Sequence, residues 1–171
     1  VLKQDAEKLG LHMVYDVAHN TAKLEKHKIE GETKEVLVHR KGATRAFGPG
    51  REEIIEKYRG VGQPIIIGGS METGSYLLAG TQGAMDQTFG STCHGSGRTM
   101  SRTRARGMFR GDQLQKDMEK RGIYVRTVTF SGLAEEAGPA YKDIDDVIDA
   151  VHKADISRKV VRFVPIGNVK G

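Results

Sequence analysis

FGSTCHGSGRTMSRTRARG, residues 89–107, sets the only cysteine of the chain beside a histidine, surrounds both with glycine and runs on into arginines. Its reading decides the fold class. A dinucleotide-binding unit needs G-x-G-x-x-G opening a helix within a βαβ repeat, and the stretch matches neither that pattern nor a P-loop. The segments around it do not alternate as regular βαβ units either. HMVYDVAH (12–19) and EVLVHR (35–40) have the branched apolar content of strands, and IIIGG (65–69) reads as a buried strand entering a glycine turn. REEIIEKYRG (51–60) predicts a short helix, with acids in its first turn, an arginine near its end and Gly60 as a stop. SYLLAG (75–80) suits strand or helix. Residues 98–106 and 112–121 read as helices with Gly107 and Gly111 between them, and IYVRTVTF (123–130) as a strand with one wet face. DIDDVIDAVHKA (143–154) has helical spacing, and KVVRFVP (159–165) is a final strand. The order predicts an α+β fold of mixed strands and short helices joined by glycine-rich loops.

The chain of 171 residues, 37% hydrophobic and 29% charged, fits one globular domain, and its 22 glycines point to much turn and loop. Lys and Arg number 27 against 22 Asp and Glu, a net charge of +5, and the arginines cluster between 98 and 110. That clustering points to a phosphate-rich partner. A single cysteine excludes an internal disulfide framework, and the sequence carries neither a signal peptide nor an apolar run long enough to span a membrane. Cytoplasmic residence without a membrane partner is the default expectation. The chain begins without Met, and VLKQDAEKLG (1–10) reads as the last turns of a helix closed by Gly10, so it is expected to be a piece of something longer.

Three glycine-rich stretches compete as phosphate cradles: RKGATRAFGPG (40–50), GGSMETGSY (68–76) and HGSGR (94–98). Glycine lets backbone amides approach an anion closely, although each stretch taken singly also reads as a turn. Arg98, Arg102 and Arg106 recur at helical spacing, and no acid lies between 93 and 111, so these arginines have no local partner and favour an external anion. His94 stands where the chain can bend sharply and present an imidazole as base, ligand or nucleophile. Cys93 is a rival nucleophile if it is not simply packed, and spacing alone does not choose. His19 has neither CxxC nor HExxH company and reads as a core histidine, while Lys170 reads as part of a mobile tail.

Taken together, YDVAHN (15–20), VHRKGATRAFGPG (38–50), IIGGSM (66–71), GSYLLAGT (74–81), FGSTCHGSGR (89–98) and NVKG (168–171) resemble the RtcB family of RNA ligases. The likeness runs from end to end and corresponds to about the carboxy-terminal third of a family member. Residues 1–171 are then expected to be the carboxy-terminal portion of a single RtcB-like catalytic domain. The resemblance implies GTP- and manganese-dependent joining of RNA 2′,3′-cyclic phosphate or 3′-phosphate ends to 5′-hydroxyl ends, in tRNA splicing and RNA repair. It makes His94 the nucleophile that carries GMP and His19 a manganese ligand. Asn20, Gly68, Gly69, Ser70, Met71, Ser75, Gly95, Ser96, Gly97, Tyr141 and Lys170 fall on nucleotide-binding positions, with Lys170 reaching the guanine. Lys41, Arg98 and Arg102 fall on positions for an RNA phosphate. RNA ends and an activating protein of the archease kind are the implied partners.

Two departures from the family pattern stand out: Glu72 where many relatives have glycine, which places a carboxylate near the nucleotide, and Ser96 where alanine is usual. The remaining metal ligands belong to the family's amino-terminal part, so this chain alone is expected to be an incomplete enzyme. Two other readings stay open. A nucleotide- or RNA-phosphate-binding module would use the same loops without chemistry, and a metal-dependent phosphohydrolase would release phosphate with His94 as acid or base. Covalent labelling of the protein by GTP separates the ligase from both.

Overall fold

Two ten-residue strands, Asn20–Ile29 (β1) and Glu32–Lys41 (β2), pair antiparallel from Asn20 opposite Lys41 to Ile29 opposite Glu32. Glu30 and Gly31 turn the hairpin with φ of 53° and 85°, the positive values that let a two-residue turn follow the strand twist. The computed structural model describes residues 3–170. Val1 and Leu2, part of the expected amino-terminal helix, and Gly171, the end of the NVKG motif, lie outside the described residues.

Next come Ala43–Arg45 (β3), Pro64–Gly68 (β4), Ser75–Gly80 (β5), Gln82–Thr88 (α1) and Ser91–Cys93 (β6). Arg102–Met108 (α2), Gly111–Lys120 (α3), Tyr124–Thr127 (β7), Phe130–Glu135 (α4), Ile144–Lys153 (α5), Ser157–Phe163 (β8) and Gly167–Lys170 (β9) follow. Strand β5 lies between β4 and β8, antiparallel to both; β3 pairs antiparallel with β6, and β7 parallel with β9. This is an α+β arrangement of small sheets, and its helices pack locally.

Helix α5 starts where the Asp143 side chain accepts from the Asp145 amide, with Asp145 and Asp146 in its first turn and His152 and Lys153 in its last. Its Ile144 and Ile148 join Ala46, Ile65, Ile67, Leu78 and Ala84 in one fully buried cluster. A second cluster, Met71, Met118, Ile123, Val125 and Leu133, links the turn after β4 to α3, β7 and α4. The His94 loop rests on the first cluster and the arginine segment is tied to the second.

Several expectations are corrected. HMVYDVAH is not a strand: residues 11–18 carry no ladder, and pairing begins at Asn20. REEIIEKYRG forms only a 3-10 turn, Glu56–Tyr58, because three residues before Gly60 are too few to propagate an α-helix. The amino-terminal helix is likewise a 3-10 turn, Glu7–Leu9, although Gly10 closes it in the left-handed conformation at φ 70°. The open segment SYLLAG is strand β5. Helix α2 starts at Arg102 because the Ser101 hydroxyl accepts from the Arg104 amide, which leaves Arg98 in the preceding loop. Gly107 lies within α2 and Gly111 opens α3.

Candidate active site

Gly68 is the pivot of the site. At the end of β4 it pairs with Ser75 of β5 on one side and bridges to Gly95 on the other. The Gly68 amide donates to the His94 carbonyl at 3.3 Å and its carbonyl accepts from the Ser96 amide at 2.8 Å. The backbone on both sides of His94 is thereby fixed to a strand end. The imidazole is exposed and stacks on that of His19, with centroids 4.5 Å apart and planes inclined by 21°. His19 is held in turn: its carbonyl accepts from the Gly42 amide at 3.0 Å, at the bend between β2 and β3. The structure thus brings together two histidines that lie 75 positions apart in the sequence (94 − 19).

Partial burial, together with the neighbouring His19, pushes the His94 pKa below the usual histidine value. The ring is therefore held toward its neutral, nucleophilic form. Cys93 packs against the first core cluster, and burial pushes its thiol above the ordinary range, which disfavours a thiolate.

The glycines around His94 differ in what they do. A Cβ on Gly69 would stand 2.6 Å from the Gly74 carbonyl oxygen, so close packing requires that glycine. A Cβ on Gly68 would meet nothing within 4 Å, and Gly68 does not have a positive φ. Neither strain nor packing explains glycine there; a side chain at this position would enter open space. Gly97 has a φ of 73°, and its carbonyl accepts from the Lys142 amide at 3.0 Å.

Ser70 and Met71 support this loop from below. The Ser70 hydroxyl lies 3.0 Å from that of Thr73 and accepts from the Glu72 amide at 3.2 Å, while Met71 is buried in the second core cluster. Ser96 is also buried, and its hydroxyl has no hydrogen-bond partner among the described residues. Glu72 does not turn its charge on the cradle: it meets Arg121 at 2.5 Å and accepts from the Gly138 amide at 2.7 Å. At the base of the hairpin the exposed Asn20 and Lys41 are cross-strand partners one residue on from His19 and Gly42 respectively.

The arginines are not without partners. Arg98 donates to the Tyr141 hydroxyl at 2.9 Å and to the Glu135 carbonyl at 2.6 Å, and its guanidinium lies 4.7 Å from the Tyr141 ring centre. Arg102 lies 3.7 Å from the Glu135 carboxylate and 3.8 Å from that of Glu136, and Arg106 lies 3.2 Å from Glu135. The acids sit 29 to 38 residues downstream (135 − 106 and 136 − 98), beyond the local window read in the sequence. Tyr141 donates to Glu136 at 2.5 Å, and Lys170, placed by the pairing of β9 with β7, brings its ammonium to 3.6 Å from the same carboxylate. The carboxy-terminal lysine belongs to a strand and not to a loose tail. Glu135 and Glu136 are the residues sequence reasoning missed; two adjacent acids opening no motif gave no signal.

Among the described residues, no three His, Cys, Asp or Glu side chains come together to hold a metal ion. His19 by itself does not make a manganese centre. No helix among the described residues is long and apolar enough to cross a membrane.

A family model described as tRNA-splicing ligase RtcB matches residues 1–171. The chain is 55% identical over 171 residues to a tRNA-splicing ligase RtcB of Archaeoglobus fulgidus, covering all of this chain and 36% of that protein. It is 54% identical to one from Pyrococcus abyssi, of which it covers 19%, and 52% identical to one from Methanococcus maripaludis, of which it covers 36%. The chain thus spans little more than a third of these relatives at most. With a match along its entire length, the chain belongs to the tRNA-splicing ligase RtcB family.

Proposed function

We propose that this chain is the carboxy-terminal portion of an RtcB-like catalytic domain and supplies the nucleophile of a GTP-dependent RNA ligase acting in tRNA splicing and RNA repair. The observation that carries the reading is the exposed His94 imidazole, held toward its neutral form, stacked on His19 and set on a loop whose backbone is tied to Gly68. A ring nitrogen of His94 attacks the α-phosphorus of GTP. A nitrogen–phosphorus bond forms as the bond to pyrophosphate breaks, and GMP stays on the histidine. The RNA 3′-phosphate then takes the GMP, and attack by the 5′-hydroxyl releases it as the strands join. The Gly95 and Gly97 amides hold the nucleotide phosphates against the Gly68–Gly69 turn, whose own amides donate to the His94 and Gly74 carbonyls, with Ser75 and Asn20 beside them. Arg98, Arg102 and Lys41 neutralise phosphate charge that builds up as the bonds exchange. Tyr141 and Lys170 face the base.

Manganese would neutralise the leaving pyrophosphate when bound. His19 offers it one donor, and the other donors would have to come from outside these residues. The 171-residue chain on its own is therefore expected to bind manganese weakly and to join no RNA ends.

The test is labelling of the complete ligase with GTP carrying radioactive α-phosphate. The label should stay on the protein, survive alkali, be lost in warm acid as a protonated imidazole leaves, and vanish in His94→Ala. Label that persists in His94→Ala, or that resists acid, refutes the assignment. Phosphate release without a labelled protein would instead support the hydrolase reading.

A further inference from the structure

The carboxylate of Glu136 touches four of the residues assigned above, and it divides them between its two oxygens. Oε2 accepts the Tyr141 hydroxyl at 2.5 Å and lies 3.6 Å from the Lys170 ammonium. Oε1 lies 3.6 Å from Arg98 and 3.8 Å from Arg102. We infer that Glu136 is a positioning residue of the nucleotide site, fixing the Tyr141 hydroxyl and the Lys170 ammonium in one arrangement and so setting base selectivity. This rests on the ligase reading.

The Tyr141 hydroxyl donates to Glu136 and accepts from Arg98 at 2.9 Å, so its proton points one way and a single lone pair is left over. Lys170 is held differently. Its backbone is locked, since its carbonyl accepts from the Val128 amide at 3.1 Å and β9 pairs along β7. Its ammonium lies just beyond hydrogen-bond distance from Glu136, so the carboxylate attracts it without saturating its donors. That arrangement suits a group that must donate to an acceptor on a purine base. Burial opposes ionisation of Glu136, yet the Tyr141 hydrogen bond and the charges of Lys170, Arg98 and Arg102 outweigh burial and hold its pKa below the usual carboxylate value. The carboxylate is therefore ionised at neutral pH. Glu135 is not equivalent: among the described residues its carboxylate meets Arg102 and Arg106 and neither Tyr141 nor Lys170.

Glu136→Gln keeps the shape and removes the charge. In the complete ligase, the KM for GTP in His94 labelling should rise about tenfold or more, the size of one charge-assisted hydrogen bond, with kcat changed far less, and preference for GTP over ATP should fall in step. A double-mutant cycle with Lys170→Met separates positioning from general damage. In the Lys170→Met background, Glu136→Gln should change selectivity by less than about threefold, because the group it acts through is gone. Unchanged KM and selectivity in Glu136→Gln, or losses that multiply fully in the double variant, would overturn the inference. Should Glu136→Gln lose its thermal transition, Tyr141→Phe breaks the same hydrogen bond from the other end and must show the selectivity loss; wild-type selectivity there overturns the inference too. Wild-type protein that takes no label at His94 ends the ligase reading itself, whereas label without a Glu136 effect ends only this proposal.

Discussion

The molecule holds two clusters of arginine and glutamate, and they differ in burial. Inside the hairpin, Arg40 grips Glu25 with two hydrogen bonds of 2.7 and 2.8 Å, and also donates to the Ser91 hydroxyl and the Phe89 carbonyl, each at 2.8 Å. Both side chains are at most 4% exposed, and the His27 ring closes the cluster 3.0 Å from Glu25. Around Glu135 and Glu136 the ion pairs are longer, 3.2 to 3.8 Å, and Arg102 is 68% exposed. In the buried cluster all three guanidinium nitrogens of Arg40 donate to protein oxygens, and exchanging these partners means opening the hairpin. In the open cluster, Arg102 and Lys170 give up little by turning to a phosphate or a base. The same chemistry serves architecture in one place and exchange in the other, and solvent access decides which.

Breaking the buried cluster should have the largest effect. Arg40→Ala leaves the Glu25 charge buried and unpaired, and the chain should lose about 3–5 kcal/mol in urea denaturation. A loss as small as that of an exposed pair would erase the distinction.

Acid should act through the same cluster. Burial of Glu25 opposes its ionisation, but the hydrogen bonds and charges of Arg40 and His27 outweigh burial and hold its pKa below the ordinary 4.5. A carboxyl with a depressed folded pKa contributes stability that is present above the unfolded value and lost as pH falls through the folded one. Urea midpoints should therefore decline as pH is lowered below about 4.5, and the decline should flatten in a Glu25→Gln, Arg40→Leu double variant. An unchanged slope would place the acid sensitivity elsewhere.

In the open cluster the effects should fall on ligand and leave the fold in place. Lys170→Met in the complete ligase should weaken guanylylation by about 1.5–3 kcal/mol and lower the preference for GTP over ATP, as expected for one charge-assisted hydrogen bond from Lys170. Unchanged selectivity would return Lys170 to a purely structural part in β9.

Smaller still, Ser96→Ala removes a buried hydroxyl that has no partner and should leave stability unchanged or raise it by up to about 1 kcal/mol. A clear loss would reveal a partner for that hydroxyl. Arg106→Ala should shift stability by less than about 1 kcal/mol, since its pair with Glu135 is largely in water. A larger loss would show that the open cluster is structural after all.

Much was legible in the sequence. IIIGG, KVVRFVP and DIDDVIDAVHKA formed β4, β8 and α5: β4 and α5 bury isoleucines of their own, whereas β8 keeps its valines exposed and is held as a strand by its pairing with β5. The glycine–histidine loop was legible as well, since a bend that exposes an imidazole needs glycine whatever surrounds it. Of the hairpin only β2 was legible, in EVLVHR, and β1 was not, for a physical reason: the buried face carries Glu25, His27 and Arg40, while Leu24 and Leu37 face out at 67% and 66% exposure. A pattern that puts polar groups inside reads as the wrong face of a strand until the ion pair that compensates it is seen. The stack of His19 on His94 and the meeting of Arg98, Arg102, Tyr141 and Lys170 on Glu136 were equally out of reach. Residue types, local spacing and family motifs are properties of the chain read in order, and they singled out His94 and the arginines. Which acid neutralises which base depends on distances between segments far apart in sequence, and those are set only when β6, α4 and β9 pack together.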